Sequence, residues 1–500
     1  MEISQYGRAM EDPRGLWIAR LLLLRGTGVI SLIAFIVALN QFRPLLGEHG
    51  LLPAPLFMKQ VSFTETPSLF YLWPKDAAFI LASWAGILLS CFVITGWAER
   101  FGPWAMFAVW AAIYLLYLSF VNVGQIFYGF GWESIFLEAC FFAMFLADSR
   151  TITHPIPIYL FRWLLFRIMF GAGLIKLRGD PCWRDLTCLN YFYETQPMPN
   201  PASWYLHWAP EWVRKSGVGF NHFAELIVPF ALFLPQPFAG IAGVLTILFQ
   251  LTIIVSGNLS WLNWLTVVLA FSTIDGQFLA FVLKFVPLQF RSPEFRALQP
   301  AFYWMDIGIA ALVAVMSIPV VINMVSPSQA MNASFNPFHL VSTYGAFGSI
   351  TRPRYEIVVE GTSDDVITSS TRWLEYEFKG KPTAVSRCPP QVAPYHLRLD
   401  WLMWFAAMDD YRNNPWFLHF MVKLLENDPD TLSLIKANPF PNQAPKWVKA
   451  ELFEYHFTTP DQRKRTGDWW ARTYTREYLP AISLSHSNLK RVLQDQGWQD

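Results

Sequence analysis

Residues 103–123, PWAMFAVWAAIYLLYLSFVNV, run for twenty-one positions without one charged side chain. A bilayer core near ~30 Å is crossed by about 20 apolar residues in a helix, whose backbone satisfies its own hydrogen bonds. This stretch has that length and that composition. Working outward, residues 26–40, 77–97 and 238–275 are almost as free of charge. Over the whole chain only 15% of residues are charged, where a soluble protein has about 25%. The deficit is uneven, because residues 350–500 have the composition of a soluble domain. Two differently solvated parts follow, not one greasy core.

The reading is a polytopic α-helical membrane protein of about eight or nine transmembrane helices with a C-terminal soluble α+β domain. Residues 1–20 form a tail, 21–325 the bundle and 335–500 the soluble domain. Candidate spans are 22–40, 77–96, 103–123, 132–147, 158–176, 220–235, 238–256, 259–275 and 302–324. Spans 132–147 and 220–235 are short, so one of them is expected to be tilted, re-entrant or buried by its neighbours. No short apolar region with a small-residue cleavage site follows the N-terminus, so the first apolar segment reads as a retained helix. Arg8, Arg14, Arg20 and Arg25 cluster around its start and favour a cytoplasmic N-terminus. With nine spans, the long loop 177–219 and the C-terminal domain share the other compartment; with eight they do not. A net charge of +1 gives no pointer to nucleic acid or to an acidic partner.

The loop 177–219, LRGDPCWRDLTCLNYFYETQPMPNPASWYLHWAPEWVRKSGVG, is polar, aromatic and rich in proline. It is long for a structureless connection, which points to function or to short helices of its own. Cys182 and Cys188 flank Trp183 within it. A disulfide is open to them if the loop faces an oxidising space. Their spacing is neither a redox CxxC nor a zinc pattern. After residue 335, RYEIVVEG (354–361) and RWLEYEFK (372–379) alternate like paired strands, and WVKAELFEYHF (447–457) suggests a third. Residues 396–409 and 415–426 have helical spacing, the latter after Asn414-Pro415. A sheet edge there could accept a partner.

Ionisable residues inside spans are costly and need partners or a function. Glu138 sits mid-span in 132–147 and Arg167 mid-span in 158–176. Folded antiparallel about residues 152–153, the two reach one depth and are expected to face each other. They form either a structural ion pair or a ligand site. Lys176 follows Gly171-Ala172-Gly173, small residues that admit a close neighbour. It reads either as a snorkelling lysine or as a desolvated base. Glu225 divides in the same way, whereas Asn258 and Asn263 suit interhelical hydrogen bonds. Asp400 is expected to pair with an arginine such as Arg398 or Arg354. No GxSxG, HExxH, P-loop or GxGxxG motif frames an active site, no metal spacing links His339, His396 and His456, and no cofactor is implied.

Three blocks carry a family likeness: YGFGWESIFLEA at 128–139, FRIMFGAGLIKLRGDPCWRDLTCLNYFYETQPMPNPASWYLH at 166–207, and NPFHLVSTYGAFGSITRPRYEIVVEGT at 336–362, continued by WLEYEFKGKP and PYHLRLDWLMWFAAM. Together they resemble the lipase maturation factor family over about residues 15–485. Tyr193-Glu194-Thr195-Gln196 and Thr343-Tyr344-Gly345-Ala346-Phe347-Gly348 stand at its characteristic strings. Phe192 and Ser342 depart from the usual His and Asn. The resemblance implies a multi-pass membrane protein that assists folding and assembly of dimeric lipases, its C-terminal domain engaging the client lipase or another secreted protein. It implies no catalysis. The placement implied is the endoplasmic reticulum membrane for a eukaryotic chain and the inner membrane for a bacterial one, since the chain has no KDEL-type ending and one extramembrane sequon, Asn332-Ala333-Ser334.

A shorter likeness sets up a rival. Residues 171–177, GAGLIKL, are similar to the helix end of vitamin K-dependent carboxylases that carries their base, with Lys176 in its place. That alternative is a membrane-embedded enzyme with a closed cavity beside Lys176, lined by Glu225 or Asn258. A transporter is disfavoured by the lack of an inverted repeat. The functional loop is placed first at 191–200, with Asn336, His339, Tyr344, Arg352 and Arg354 at the junction after the last helix.

Overall fold

The computed structural model describes residues 15–283 and 295–485, with residues 489, 493, 494, 497 and 498 beyond them. The tail to residue 14, with Arg8 and Arg14, lies outside the described residues. The helical part contains α1 (Leu16–Leu46), α2 (Asp76–Ile94), α3 (Pro103–Val123), α4 (Gly131–Ala143), α5 (Pro155–Arg178), α6 (Glu211–His222), α7 (Phe238–Ser256), α8 (Leu262–Ala270) and α9 (Pro300–Val325). The chain is a multi-pass membrane protein. Six of these helices are long and apolar enough to cross a bilayer, and a pair bent by 88°, Leu262–Thr273 with Gly276–Val282, makes up to seven.

That count corrects the expected eight or nine, for two physical reasons. Helix α4 has 13 residues and reaches only about 20 Å at 1.5 Å per residue. All of it except Phe141 is buried, so it is the centre of the bundle and not a lipid-facing span. Segment 220–235 is the second exception. There α6 passes into a π-helical turn, Phe223–Ile227, and then a short helix that opens with Val228-Pro229, where proline offers no backbone N–H. Helices α2 and α9 lie on the outside. Trp304, Val315 and Val325 of α9 are 68%, 64% and 71% exposed, a contiguous apolar surface that only acyl chains would cover at no cost.

Helix α1 has 31 residues, about 46 Å at 1.5 Å per residue, and so overshoots the bilayer. Its last turns enter the C-terminal domain. Gln41 donates to the His396 carbonyl at 2.6 Å and accepts the Arg398 N–H at 3.0 Å. That domain is an antiparallel sheet in the order β2-β1-β3-β4, formed by β1 (Arg354–Thr362), β2 (Leu374–Glu375), β3 (Trp447–Phe457) and β4 (Trp470–Ile482). Helices α10 (Arg398–Ala406) and α11 (Pro415–Leu425) pack between the sheet and the bundle. The expected strand at 372–379 shrinks to two residues, and β4 is an added strand. One hydrophobic core runs through both parts. Trp132 of α4 meets Trp401 of α10 with ring centres 4.9 Å apart, and Phe127 meets Trp416 at 5.8 Å.

The loop 177–219 is largely helical. Asp180 caps Pro181–Arg184 by accepting the Cys182 N–H, and Asn200 forms a reciprocal cap with Ser203 ahead of Pro201–His207. These caps occupy amides that a helix start leaves without partners. Trp204 and Trp208 of the loop donate to the Thr458 carbonyl at 2.9 and 3.1 Å, and Arg354 of β1 donates to the Glu194 carbonyl at 2.9 Å, so loop and sheet domain lie on one side of the bundle.

Candidate functional site

The two spans that the hydropathy pattern placed antiparallel are α4 and α5, and they bring Glu138 and Arg167 together. Arg167 forms an ion pair with Glu138, both side chains fully buried. Its other Nη donates to Glu138 at 3.2 Å and to the Ser342 carbonyl at 2.9 Å. The Tyr344 hydroxyl donates to Glu138 at 2.9 Å. The loop after α9 thus closes the ion pair from above. It can do so because glycine stands within α5 and just past its end: a side chain at Gly171 would collide with the Tyr344 carbonyl, and one at Gly179 with the Gly348 carbonyl.

Lys176 is held by the Glu225 carboxylate at 2.6 Å and the Asn221 amide oxygen at 2.9 Å. Asn221 also donates to Glu225 at 2.7 Å. Glu225 lies in the π-helical turn, a distortion often found at functional sites. Beside this triad opens a cavity of about 710 Å³, bounded by α4, α5, α7, α8, the 344–349 loop and α10.

A second group forms the seam between the loop and the sheet. Glu194 accepts the Phe457 N–H at 2.7 Å and contacts His456 at 3.1 Å. That carboxylate pulls the His456 pKa upward. Arg354 donates to the Glu194 carbonyl at 2.9 Å, to the Pro197 carbonyl at 3.0 Å and to Glu356 at 2.5 Å. The Thr195 carbonyl accepts from Trp404 at 3.1 Å, and Gln196 donates to the Ser256 carbonyl at 2.8 Å. Tyr193 packs with the disulfide-bonded Cys182 and Cys188. Arg352 clamps both oxygens of Asp180 at 2.9 Å, which holds that carboxylate down at about 2.

The remaining expected positions also bind structure to structure. Asn258, at the α7–α8 turn, accepts the amides of Val392 and Ala393 at 2.7 and 2.9 Å and donates to the Pro390 carbonyl at 2.8 Å. Asn263 donates to Gln250 at 2.6 Å. His339 bridges Asn122 and Ser134 at 3.1 and 3.0 Å, and burial pushes its pKa down to about 4. Asn336 folds its own turn by donating to the Leu340 carbonyl at 2.7 Å. Asp400 is a correction: it accepts the backbone amides of Gly380 and Lys381 at 2.6 and 2.9 Å, because its face of α10 points to that turn and not to an arginine.

A further pair escaped the sequence reading. Glu133 of α4 binds Arg398 of α10 at 2.8 Å, both fully buried, and accepts the Tyr117 hydroxyl at 2.5 Å. The signal was present, since Glu133 is a second carboxylate in an apolar span and needed its own partner. The expectation of a base at Lys176 finds no support. Its Nζ is taken up by Glu225 and Asn221, and residue 176 falls within a family match of another kind.

That match is to the lipase maturation factor transmembrane domain, over residues 18–281, and a second is to the lipase maturation factor C-terminal domain, over residues 340–480. Among individual proteins, lipase maturation factor 1 of Mus musculus is 42% identical over 524 residues, 96% of this chain and 90% of its own length. The Homo sapiens protein of that name is 42% identical over 521 residues, with the same coverage. Lipase maturation factor 2 of Gallus gallus is 29% identical over 613 residues, 98% of this chain and 84% of the relative. No solved structure matches.

Proposed function

The chain belongs to the lipase maturation factor family, and on that premise we propose that it is a membrane-embedded maturation factor assisting the folding and assembly of secreted lipases. The observation that carries this reading is that the likeness runs through both the bundle and the sheet domain, as the names of the matched relatives do. The proposed activity is binding, not catalysis. Its place is the endoplasmic reticulum membrane in a eukaryotic cell, or the inner membrane in a bacterium.

The sheet supports a mode of client binding. Among the described residues no strand pairs with the outer side of β4. This 13-residue edge presents Tyr474, which is 54% exposed. An unpaired edge can add an extended segment of a client as a further strand. The seam between the loop and the sheet would keep that edge at a set distance from the membrane, beside a newly translocated client.

The test is co-expression of the full chain with a secreted dimeric lipase in cells lacking their own maturation factor. Secreted lipase activity rises and the lipase co-purifies. Thr475→Pro, at the bulged position of β4 that has no partner residue in β3, is tolerated by the sheet and disfavours an added strand; it lowers the co-purified lipase several-fold and leaves the chain in the membrane. Absence of any secreted lipase that gains activity or binds would overturn the proposal.

A further inference from the structure

The cavity beside Lys176 is not used by the proposed function, and its walls say what would fill it. Its mouth is marked by Ile126, Met331 and Phe405, which are 45%, 47% and 42% exposed. Ile126 follows the end of α3 and Met331 the end of α9, so the mouth lies at one bilayer boundary. From Lys176, in the last turn of α5, the wall descends through Ala172 to Met169. That is seven residues, about 10 Å towards the membrane centre at 1.5 Å per residue. The deep end is apolar apart from the amides of Asn263 and Gln250, which are bonded to each other, and the Thr266 hydroxyl, which donates to the Leu262 carbonyl.

The only charged side chains lining it, among the described residues, are Lys176 and Glu225. They are paired, so the rim offers polar atoms but no net charge. A cavity of about 710 Å³, apolar at depth and polar at one end, has room for an acyl chain with a small head. It is also within the ~300–1,000 Å³ of small-molecule sites. The geometry points to a binding site for an uncharged single-chain amphiphile, its head at Lys176–Glu225 and its chain directed to the membrane centre. Burying that chain also removes apolar wall from water at the boundary.

The inference is independent of client binding and is tested on the full chain in phosphatidylcholine nanodiscs, with a diazirine-bearing monoacylglycerol as probe. Cross-links map to 168–176 or 401–405, and unlabelled monoacylglycerol displaces the probe about tenfold better than the matching fatty acid. Ala172→Phe and Ile253→Trp fill the space from opposite walls and lower labelling about tenfold, while Val315→Trp on the lipid-facing side of α9 leaves it unchanged. Either filling variant suffices if the other fails to elute as a folded monodisperse species. Glu225→Gln leaves Lys176 unbalanced and shifts preference towards the fatty acid. Labelling spread evenly over lipid-facing helices would overturn the proposal. So would labelling indifferent to both filling variants, better displacement by the fatty acid in the unaltered chain, or displacement by an aromatic client peptide in preference to monoacylglycerol.

Discussion

Two groups of ion pairs in this molecule contrast in their access to water. The inner group, Glu138–Arg167 and Glu133–Arg398, is sealed among helices, with side chains no more than 1% exposed. The outer pairs of the seam, Glu194–His456 and Asp180–Arg352, join the 177–219 loop to the sheet domain, and one partner in each is about half exposed, 51% for His456 and 43% for Arg352, whereas the seam's Arg354–Glu356 pair is sealed like the inner group. The same residue types therefore do two jobs. A sealed pair specifies which helices meet, because either member alone would be intolerable there. A wet pair adjusts how firmly two bodies stay docked, and it responds to solution conditions.

The largest effect is expected inside. Arg167→Met removes the partner of a fully buried carboxylate and costs roughly 3–5 kcal/mol. Guanidinium-free thermal unfolding in detergent, followed by loss of the monodisperse peak, measures it. The double variant Arg167→Met, Glu138→Gln should recover much of the loss, since no lone charge remains. If the single variant were as stable as the parent, the distinction between sealed and wet pairs would collapse. Arg398→Met strands Glu133 in the same way, with a similar cost of roughly 3–5 kcal/mol. Its signature differs, because Arg398 belongs to α10. Limited proteolysis should cut between residues 325 and 398 sooner than in the parent, whereas Arg167→Met should unsettle the bundle first.

An intermediate effect tests the seam where it carries no charge. Asn258→Ala leaves the amides of Val392 and Ala393 without their acceptor, at a cost of about 1–3 kcal/mol. Hydrogen exchange of residues 390–395 should accelerate while α4 and α5 remain protected. Uniform acceleration would mean that the two parts unfold as one unit.

The sequence made the inner group half visible. An arginine and a glutamate in apolar runs must find partners, and antiparallel folding of adjacent spans sets them at one depth, so Glu138 and Arg167 could be matched from residue numbers. Glu133 and Arg398 are separated by 265 positions, and no local rule brings them together. Hydropathy also overcounted the spans. It records that 132–147 is apolar but not whether lipid or protein surrounds it, and α4 is enclosed by protein. Strand β4 escaped because its exposed edge face, ARTYTRE, lacks the buried alternation that marks β3. The seam residues 193–196 were legible as a block through family likeness; that Glu194 caps a strand end and meets His456 was not.

The smallest effect is a pH dependence confined to the seam. The Glu194 carboxylate raises the His456 pKa above its ordinary 6.5. A group whose folded pKa is raised binds its proton more tightly when folded, so its contribution is fully present below the unfolded pKa. It is lost as pH rises through the higher folded value. The docking of Phe457 against Glu194 should therefore be firmest in mildly acidic solution and loosen on passing above neutrality. The shift is modest, because water screens a half-exposed ring. Hydrogen exchange at residues 454–458, corrected for the intrinsic pH dependence of exchange, should reveal it as faster opening at pH 8 than at pH 6. In His456→Gln that difference should disappear, and the inner pairs should show none in either chain. A matching pH dependence at α4 would show that the sealed group senses solvent after all, and the contrast between the two groups would have to be redrawn around the cavity that lies between them.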